Sequence, residues 1–291
     1  MNKIFQTGVI LLFLFAAGCF KQQPTGANLP ASLSLQLRVA NWSLLQPEPE
    51  AALARTAAPA QITRVEIFIT LAKDTLAART VPLAPGAGEF SASFEIPSGE
   101  DYRVIVEAWD DNGVEGGGGL LFRGVQANVV IIPEVAQTVS IVLYPVPIAG
   151  QRVVLIVGGA SGTPGSSGNL APISLISADS LSGVQFDLNF NPAVIAPVRT
   201  VRDAALPWSS VESNVVNNGS ALRLLLFDNT GRRLPVFNDP AALARVDFRV
   251  SNNAAIGVSS SLTISNPLVL DANRRPLEVA VVVDTFVVVD R

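Results

Sequence analysis

From Gly183 to Phe190 the chain alternates without a break, with Val184, Phe186, Leu188 and Phe190 on one side and Gln185, Asp187 and Asn189 on the other. A period of two sorts apolar and polar side chains onto opposite faces of a strand, and a helix cannot reproduce it. Asn191-Pro192 then ends the run, because proline restricts the residue before it and cannot donate to a ladder. The pattern recurs along the chain. Leu33 to Val39 alternates cleanly and Val65 to Leu71 in part, and Phe90 to Ile96, Tyr102 to Trp109, Asn128 to Ile132 and Thr138 to Leu143 follow with turn residues between them. Helical periodicity is nearly absent. Pro49 to Ala58, alanine-rich and flanked by prolines, is the one stretch able to coil, and it reads better as an exposed excursion between strands.

Two prolines in Pro145-Val146-Pro147-Ile148-Ala149-Gly150 mark a stiff join between two blocks of strands. The second block restarts at Arg152 and runs to Val289 with roughly nine strand candidates, the spacing of a sandwich. The expectation is an all-β chain of two β-sandwiches in series, with residues 32–146 a spacer domain and residues 151–290 the second domain. After Trp109 come Asp110-Asp111-Asn112-Gly113, Glu115 and the glycines Gly116 to Gly119. Four oxygen-bearing side chains there could gather around calcium. The simpler reading is a hairpin turn, with Asn-Gly supplying positive φ and the glycines a loose loop. The glycine run is no phosphate cradle, since neither a helix pattern nor a Lys-Ser/Thr pair follows it. No cofactor or metal site is expected.

The N-terminus carries an address. Lys3 is followed by an apolar run, Val9 to Ala17, and then by the small residues Ala16, Ala17 and Gly18 that a signal peptidase requires. The run is short for a bilayer span. It ends on Cys19, the only cysteine of the chain, in the arrangement Ala16-Ala17-Gly18-Cys19. This resembles a bacterial lipoprotein signal, with Ala16 where that family usually has leucine, and the resemblance implies acylation of Cys19. The alternative is a plain secretory signal with an incidental cysteine, and both readings export the chain. Residues 1–18 are expected as the signal peptide and residues 19–31 as a tether, because positions 21–31 are polar, proline-bearing and aperiodic. Stable anchoring needs more than one acyl chain, at about 0.8 kcal/mol per buried methylene.

Loss of residues 1–18 would remove Lys3 and no acid, leaving 19 basic against 24 acidic side chains. Such a balance argues against nucleic acid as a partner. No intramolecular disulfide can form, so burial alone must stabilise about 270 residues. There is no histidine, which removes the commonest general base, the usual zinc ligand and every Ser-His or Cys-His pairing.

In the first block, Phe94 to Gly99 and Tyr102 to Asp110, then a Gly-rich turn and two further strands, resemble the transthyretin-like or immunoglobulin-like sandwiches of exported bacterial proteins. The second block is more diagnostic. It has the loop Gly158 to Gly168, a strand near Ala171 to Ile176 and Gly183-Val184-Gln185-Phe186-Asp187-Leu188-Asn189-Phe190-Asn191-Pro192. The turn Phe227-Asp228-Asn229-Thr230-Gly231, the strand Ala244-Arg245-Val246-Asp247-Phe248-Arg249-Val250 and a closing Val279 to Val289 follow. In that order these segments resemble the cohesin module, which implies a jelly-roll sandwich over 151–290 and a dockerin-like protein partner in polysaccharide-degrading assemblies. In that family, polar residues on the strand matching Gly183 to Phe190 commonly help hold the dockerin. Of the outward positions here, Gly183 is blank and Gln185, Asp187 and Asn189 share only polarity.

The expected function is therefore a lipid-anchored, non-catalytic scaffold at the cell surface or on a periplasmic membrane face. Its partner-binding residues would be Gln185, Asp187 and Asn189, joined by Arg245, Asp247 and Arg249 on a second strand. A solvated sheet side would look the same at any single position. The alternative is a module binding polysaccharide directly. The tryptophans and tyrosines available for stacking are Trp42, Trp109, Trp208, Tyr102 and Tyr144, and only Trp208 lies in the second block. Catalysis by a carboxylate pair such as Asp228 and Asp247 is the weakest reading, since any sandwich of this size offers such pairs.

Overall fold

The computed structural model describes residues 30–39, 42–45, 62–83, 89–110, 119–206, 208 and 210–290. Cys19, the signal segment, most of the tether, Pro49 to Ala58 and residues 111–118 lie outside the described residues. Among the described residues every regular element is a strand, apart from a 3-10 turn at Asn217–Gly219. The all-β expectation holds.

The first block supplies β1 (Pro30–Val39), β2 (Trp42–Leu45), β3 (Arg64–Leu71), β4 (Asp74–Pro82), β5 (Glu89–Pro97), β6 (Gly99–Asp110), β7 (Gly119–Ile131) and β8 (Gln137–Pro145). All but β2 hydrogen-bond in the order β4-β3-β6-β7-β8-β1-β5. β7 and β8 meet only at Phe122↔Pro145 and Arg123↔Tyr144, and there the ribbon folds into two layers. Leu33, Leu35 and Leu37 of β1 then meet Val65, Ile67 and Ile69 of β3 and Val104 and Val106 of β6 in one core. Tyr102 is buried and donates its hydroxyl to the Pro97 carbonyl at 2.8 Å, the tyrosine-corner device of immunoglobulin-type sandwiches. Gly124 is obligatory where β7 crosses β8, because a Cβ there would lie 2.6 Å from Ile141 and from the Val142 carbonyl. Asp110 pairs with Gly119 where β6 and β7 run antiparallel. The mostly exposed edge strand β4 has no counterpart among the runs picked out by alternation.

The second block supplies β9 (Arg152–Val157), β10 (Ala160–Gly162), β11 (Asn169–Ser177), β12 (Leu181–Asn189), β13 (Ile195–Arg202), β14 (Ser210–Val216), β15 (Ala221–Phe227), β16 (Phe237–Val250), β17 (Ser259–Ser261), β18 (Thr263–Asp271), β19 (Pro276–Val283) and β20 (Thr285–Val288). The main sheet runs β13-β16-β11-β9-β19-β18-β12-β15-β14. It turns over at β18 and β19, which share only Val269↔Leu277 and Leu270↔Pro276. The layer β13-β16-β11-β9-β19 therefore faces the layer β18-β12-β15-β14 across a single core. Phe190, just beyond β12, meets Phe248 of β16 edge to face across that core, with ring centroids 5.6 Å apart. The expected closing strand Val279 to Val289 is two strands. It breaks at Asp284, and β20 leaves the main sheet to pair with β10 and β17.

The two sandwiches are joined by more than the proline linker. Val146 donates to the Leu121 carbonyl, Ile148 and Arg152 exchange backbone bonds, and Glu278 donates to the Gln151 carbonyl, so the linker is fastened to both blocks. β2, expected within the spacer domain, pairs antiparallel with β19 from Val279↔Leu45 to Val282↔Trp42. β9 is buried on both sides. Val153, Leu155 and Val157 enter the main core, while Val154 and Ile156 form an outer cluster with Ile176, Ala280 and Val282, against which Tyr144 of β8 packs. Asp239 in β16 pairs with Arg103 at 2.8 Å and Arg123 at 3.8 Å. A cavity of about 200 Å³ remains in this junction, lined by Glu107, Arg123, Tyr144, Ile176 and Asp239 among others.

Candidate functional site

The outer face of β18-β12-β15-β14 is built in rows by strand register. Leu270, Gly183, Phe227 and Ser210 form the first row, and Leu268, Gln185, Leu225 and Glu212 the second. Ser265, Asp187, Arg223 and Asn214 form the third, and Thr263, Asn189, Ala221 and Val216 the fourth. Alternation fixes these assignments, because Val184, Phe186, Leu188, Leu222, Leu224, Leu226, Ile264 and Val269 are spent on the core. The first row holds two large apolar side chains and no charge, the third is wholly polar, and the second and fourth are each divided between apolar and polar residues, with no covering strand among the described residues.

The polar half is organised around Asp187, which is 1% exposed although it points away from the core. Arg223 donates to it twice, Nε to Oδ1 at 2.7 Å and Nη2 to Oδ2 at 2.9 Å. Asn266 donates to Oδ2 at 2.9 Å. Asn266 reaches it because β18 shifts register opposite Gln185 and Asp187 and because Asn266 adopts φ 50°, the re-aiming that a bulge provides. The Arg223 hydrogen bonds hold the Asp187 carboxyl below the usual carboxylate range, against desolvation, with Asn266 assisting. Asn189 donates to the Ser265 hydroxyl at 3.0 Å. Gln185 is half-buried between Leu268 and Leu225.

The sequence grouped Gln185, Asp187 and Asn189 with Arg245, Asp247 and Arg249, but the structure does not bring the two trios together. β12 and β16 face each other across the core, so their outward residues lie on opposite sides of the sandwich. Asp247 is buried, accepting from the Gly168 backbone at 2.7 Å and from Arg199 Nε at 3.2 Å. Arg245 and Arg249 are exposed, and Arg245 lies 3.8 Å from Asp203. Asp228 and Asp247 belong to different layers and have separate partners, because Asp228 holds the turn to Thr230 and Arg232. Among the described residues no group of three or more Cys, Asp or Glu could hold a metal. Trp208 is fully buried and donates Nε1 to the Arg232 carbonyl at 3.0 Å, so it offers no stacking platform. Trp109 lies under the Arg64 guanidinium, 4.9 Å from the ring centroid.

Arg223, Leu225, Phe227, Leu268, Leu270 and Asn266 were not singled out in the sequence. The signal was present for three of them. In Ala221 to Phe227 the residues not needed by the core face are Arg223, Leu225 and Phe227, so one outward face carries a lone cation beside two large apolar groups. Asn266 had no signal, because its role depends on the bulge.

The cohesin domain model matches residues 153–289. Solved structures similar to this chain include the sixth cohesin of Acetivibrio cellulolyticus scaffoldin B in complex with a dockerin, at 22% identity over 47% of this chain and 99% of that one, TM-score 0.42. A type I cohesin–dockerin complex from Clostridium thermocellum is similar at 13% identity over 49% and 97%, TM-score 0.39. A non-cellulosomal cohesin from the archaeon Archaeoglobus fulgidus is similar at 19% identity over 48% and 92%, TM-score 0.40. No curated protein matches the chain. The domain-model match over residues 153–289 makes the chain a cohesin-domain-containing protein.

Proposed function

We propose that this chain is a lipid-anchored, non-catalytic docking protein whose cohesin domain binds a dockerin-like module through the outer face of β18-β12-β15-β14. The cohesin match over 153–289 carries the reading. The chemistry of that face supports it, since partly exposed leucines and a phenylalanine beside a fixed arginine are what a reversible protein interface requires. Cys19, acylated and left as the N-terminus when residues 1–18 are removed, tethers the two sandwiches to an exported membrane face. The partner's own chain then brings the activity, in keeping with assemblies that degrade polysaccharide.

The test is retention of dockerin-bearing proteins by the full chain from residue 20 onward, immobilised at its N-terminus. Specific retention is expected. If no dockerin-bearing protein binds above background while an insoluble polysaccharide does, the docking reading fails in favour of direct sugar binding. The anchor is tested separately by Cys19→Ser, which should abolish fatty-acid labelling and move the protein from the membrane to the soluble fraction.

A further inference from the structure

Resting on that docking reading, we infer that the partner is selected by a large apolar side chain seated over Gly183, with Arg223 offering a fixed donor two rows away. Gly183 lies on a central strand between Leu270 and Phe227. Its φ is not among the positive ones, so the backbone does not demand glycine there. A Cβ built on it would meet no heavy atom within 4 Å. The missing side chain therefore makes a notch in the face, flanked by Leu270 and Phe227 and, in the next row, by Leu268 and Leu225. Leu268 is 37% exposed. A polar group lowered onto Gly183 would lose water and find only Gln185 close beside it, since Ser210 and Glu212 lie two strands away on the edge strand β14. An aliphatic or aromatic group would gain contact on several sides.

Arg223 completes the preference. Two of its five N–H donors are committed to Asp187, and the side chain remains 46% exposed. The guanidinium is thus oriented before a partner arrives, with donors left over for a hydroxyl, carbonyl or carboxylate. Asp187 is a positioning residue for Arg223 rather than a contact. The occupant that matches is a dockerin-type helix with a bulky apolar residue and a hydrogen-bond acceptor on the same side.

A panel of purified dockerin modules, some with aliphatic and some with Ser, Thr or Asp residues on the docking helix, is titrated against the full chain and against Gly183→Leu. The aliphatic members should bind the unaltered chain at least tenfold more tightly than the polar ones, and Gly183→Leu should lose at least tenfold with an unchanged melting temperature. If Gly183→Leu does not fold, Leu268→Ser at its exposed position should give a smaller loss in the same direction. Equal affinity for polar and aliphatic members, or a change under twofold in Gly183→Leu, overturns this inference and leaves dockerin binding standing. Binding of no member overturns the docking reading as well. A dimer of the chain alone that Gly183→Leu dissolves would assign the notch to self-association and also overturn the inference.

Discussion

The two outer faces of the cohesin sandwich both carry aliphatic side chains and have opposite fates. On one, Val154, Ile156, Ile176, Ala280 and Val282 form an unbroken patch that Tyr144 covers, while β2 occupies the edge of β19. On the other, Leu225, Phe227, Leu268 and Leu270 adjoin Gln185, Asp187 and Arg223 and stay open. Continuity of apolar surface decides the difference. A strand apolar on both sides must be covered permanently, whereas leucines beside hydrogen-bonded polar groups remain soluble uncovered and are free to bind reversibly. The first sandwich is thus more than a spacer, because it closes one face of the second and leaves the other presented.

The sharpest way to break this comparison is to place the same charge on each face. Ile156→Asp buries a carboxylate in the closed patch and should cost about 3–5 kcal/mol. Leu268→Asp on the open face should stay within about 0.5 kcal/mol. Urea unfolding of the two variants measures both, and equal losses would show that the faces do not differ. A fragment of residues 151–290 should follow the same logic. Without β2 and Tyr144 it exposes the aliphatic patch and should self-associate, with light scattering reporting a mass at least twice that of the monomer. A stable monomer would mean that the cover is dispensable.

Much of this fold could be read from alternation. Val184, Phe186, Leu188 and Phe190 are all buried as the period of two requires, whereas β13, β14 and β18 were not among the runs read in 151–290. The polar half of each strand was harder to read. Alternation states which way Asp187 points, but not that Arg223 and Asn266 enclose it, since those partners come from different strands and one of them from a bulge. The closed face did leave a mark in the sequence, because Val153 to Val157 is apolar at every position. Short-range pattern could not show that Tyr144 of the other sandwich lies over that run, or that β2 takes the edge of β19 from more than 230 residues away. The break at Asp284 escaped notice because valines continue on both sides of it.

Acid titration sharpens the polar half of the open face. Asp187 is held below the usual range chiefly by Arg223, Asp228 chiefly by the Thr230 hydroxyl and Asp271 chiefly by the Arg275 backbone N–H. A carboxyl whose folded pKa lies below its unfolded value, about 3.9 for Asp, contributes stability that is complete above that value and is lost as pH falls through the folded pKa. Stability should therefore be flat from neutral pH down to about pH 5 and decline below about pH 4. Asp187→Asn should make that decline shallower in urea midpoints measured between pH 2 and 6. An unchanged slope would mean that Arg223 does not hold the carboxylate in the way its geometry implies.

The smallest effect concerns what holds the closed face shut. Asp239, 44% exposed, pairs with Arg103, 42% exposed, and with Arg123, and pairs so wet contribute about 0–1 kcal/mol. Asp239→Ala should lower stability by no more than about 1 kcal/mol at low salt. The difference should vanish in about 1 M salt, where the screening length is only a few ångströms. Hydrogen exchange at Val154, Ile156 and Ala280 should stay protected in this variant, because the aliphatic patch remains covered by Tyr144 and β2 persists. If exchange there accelerates to the level of Ile156→Asp, ion pairing rather than apolar continuity closes the face, and the contrast between the two sides of the sandwich must be attributed to charge.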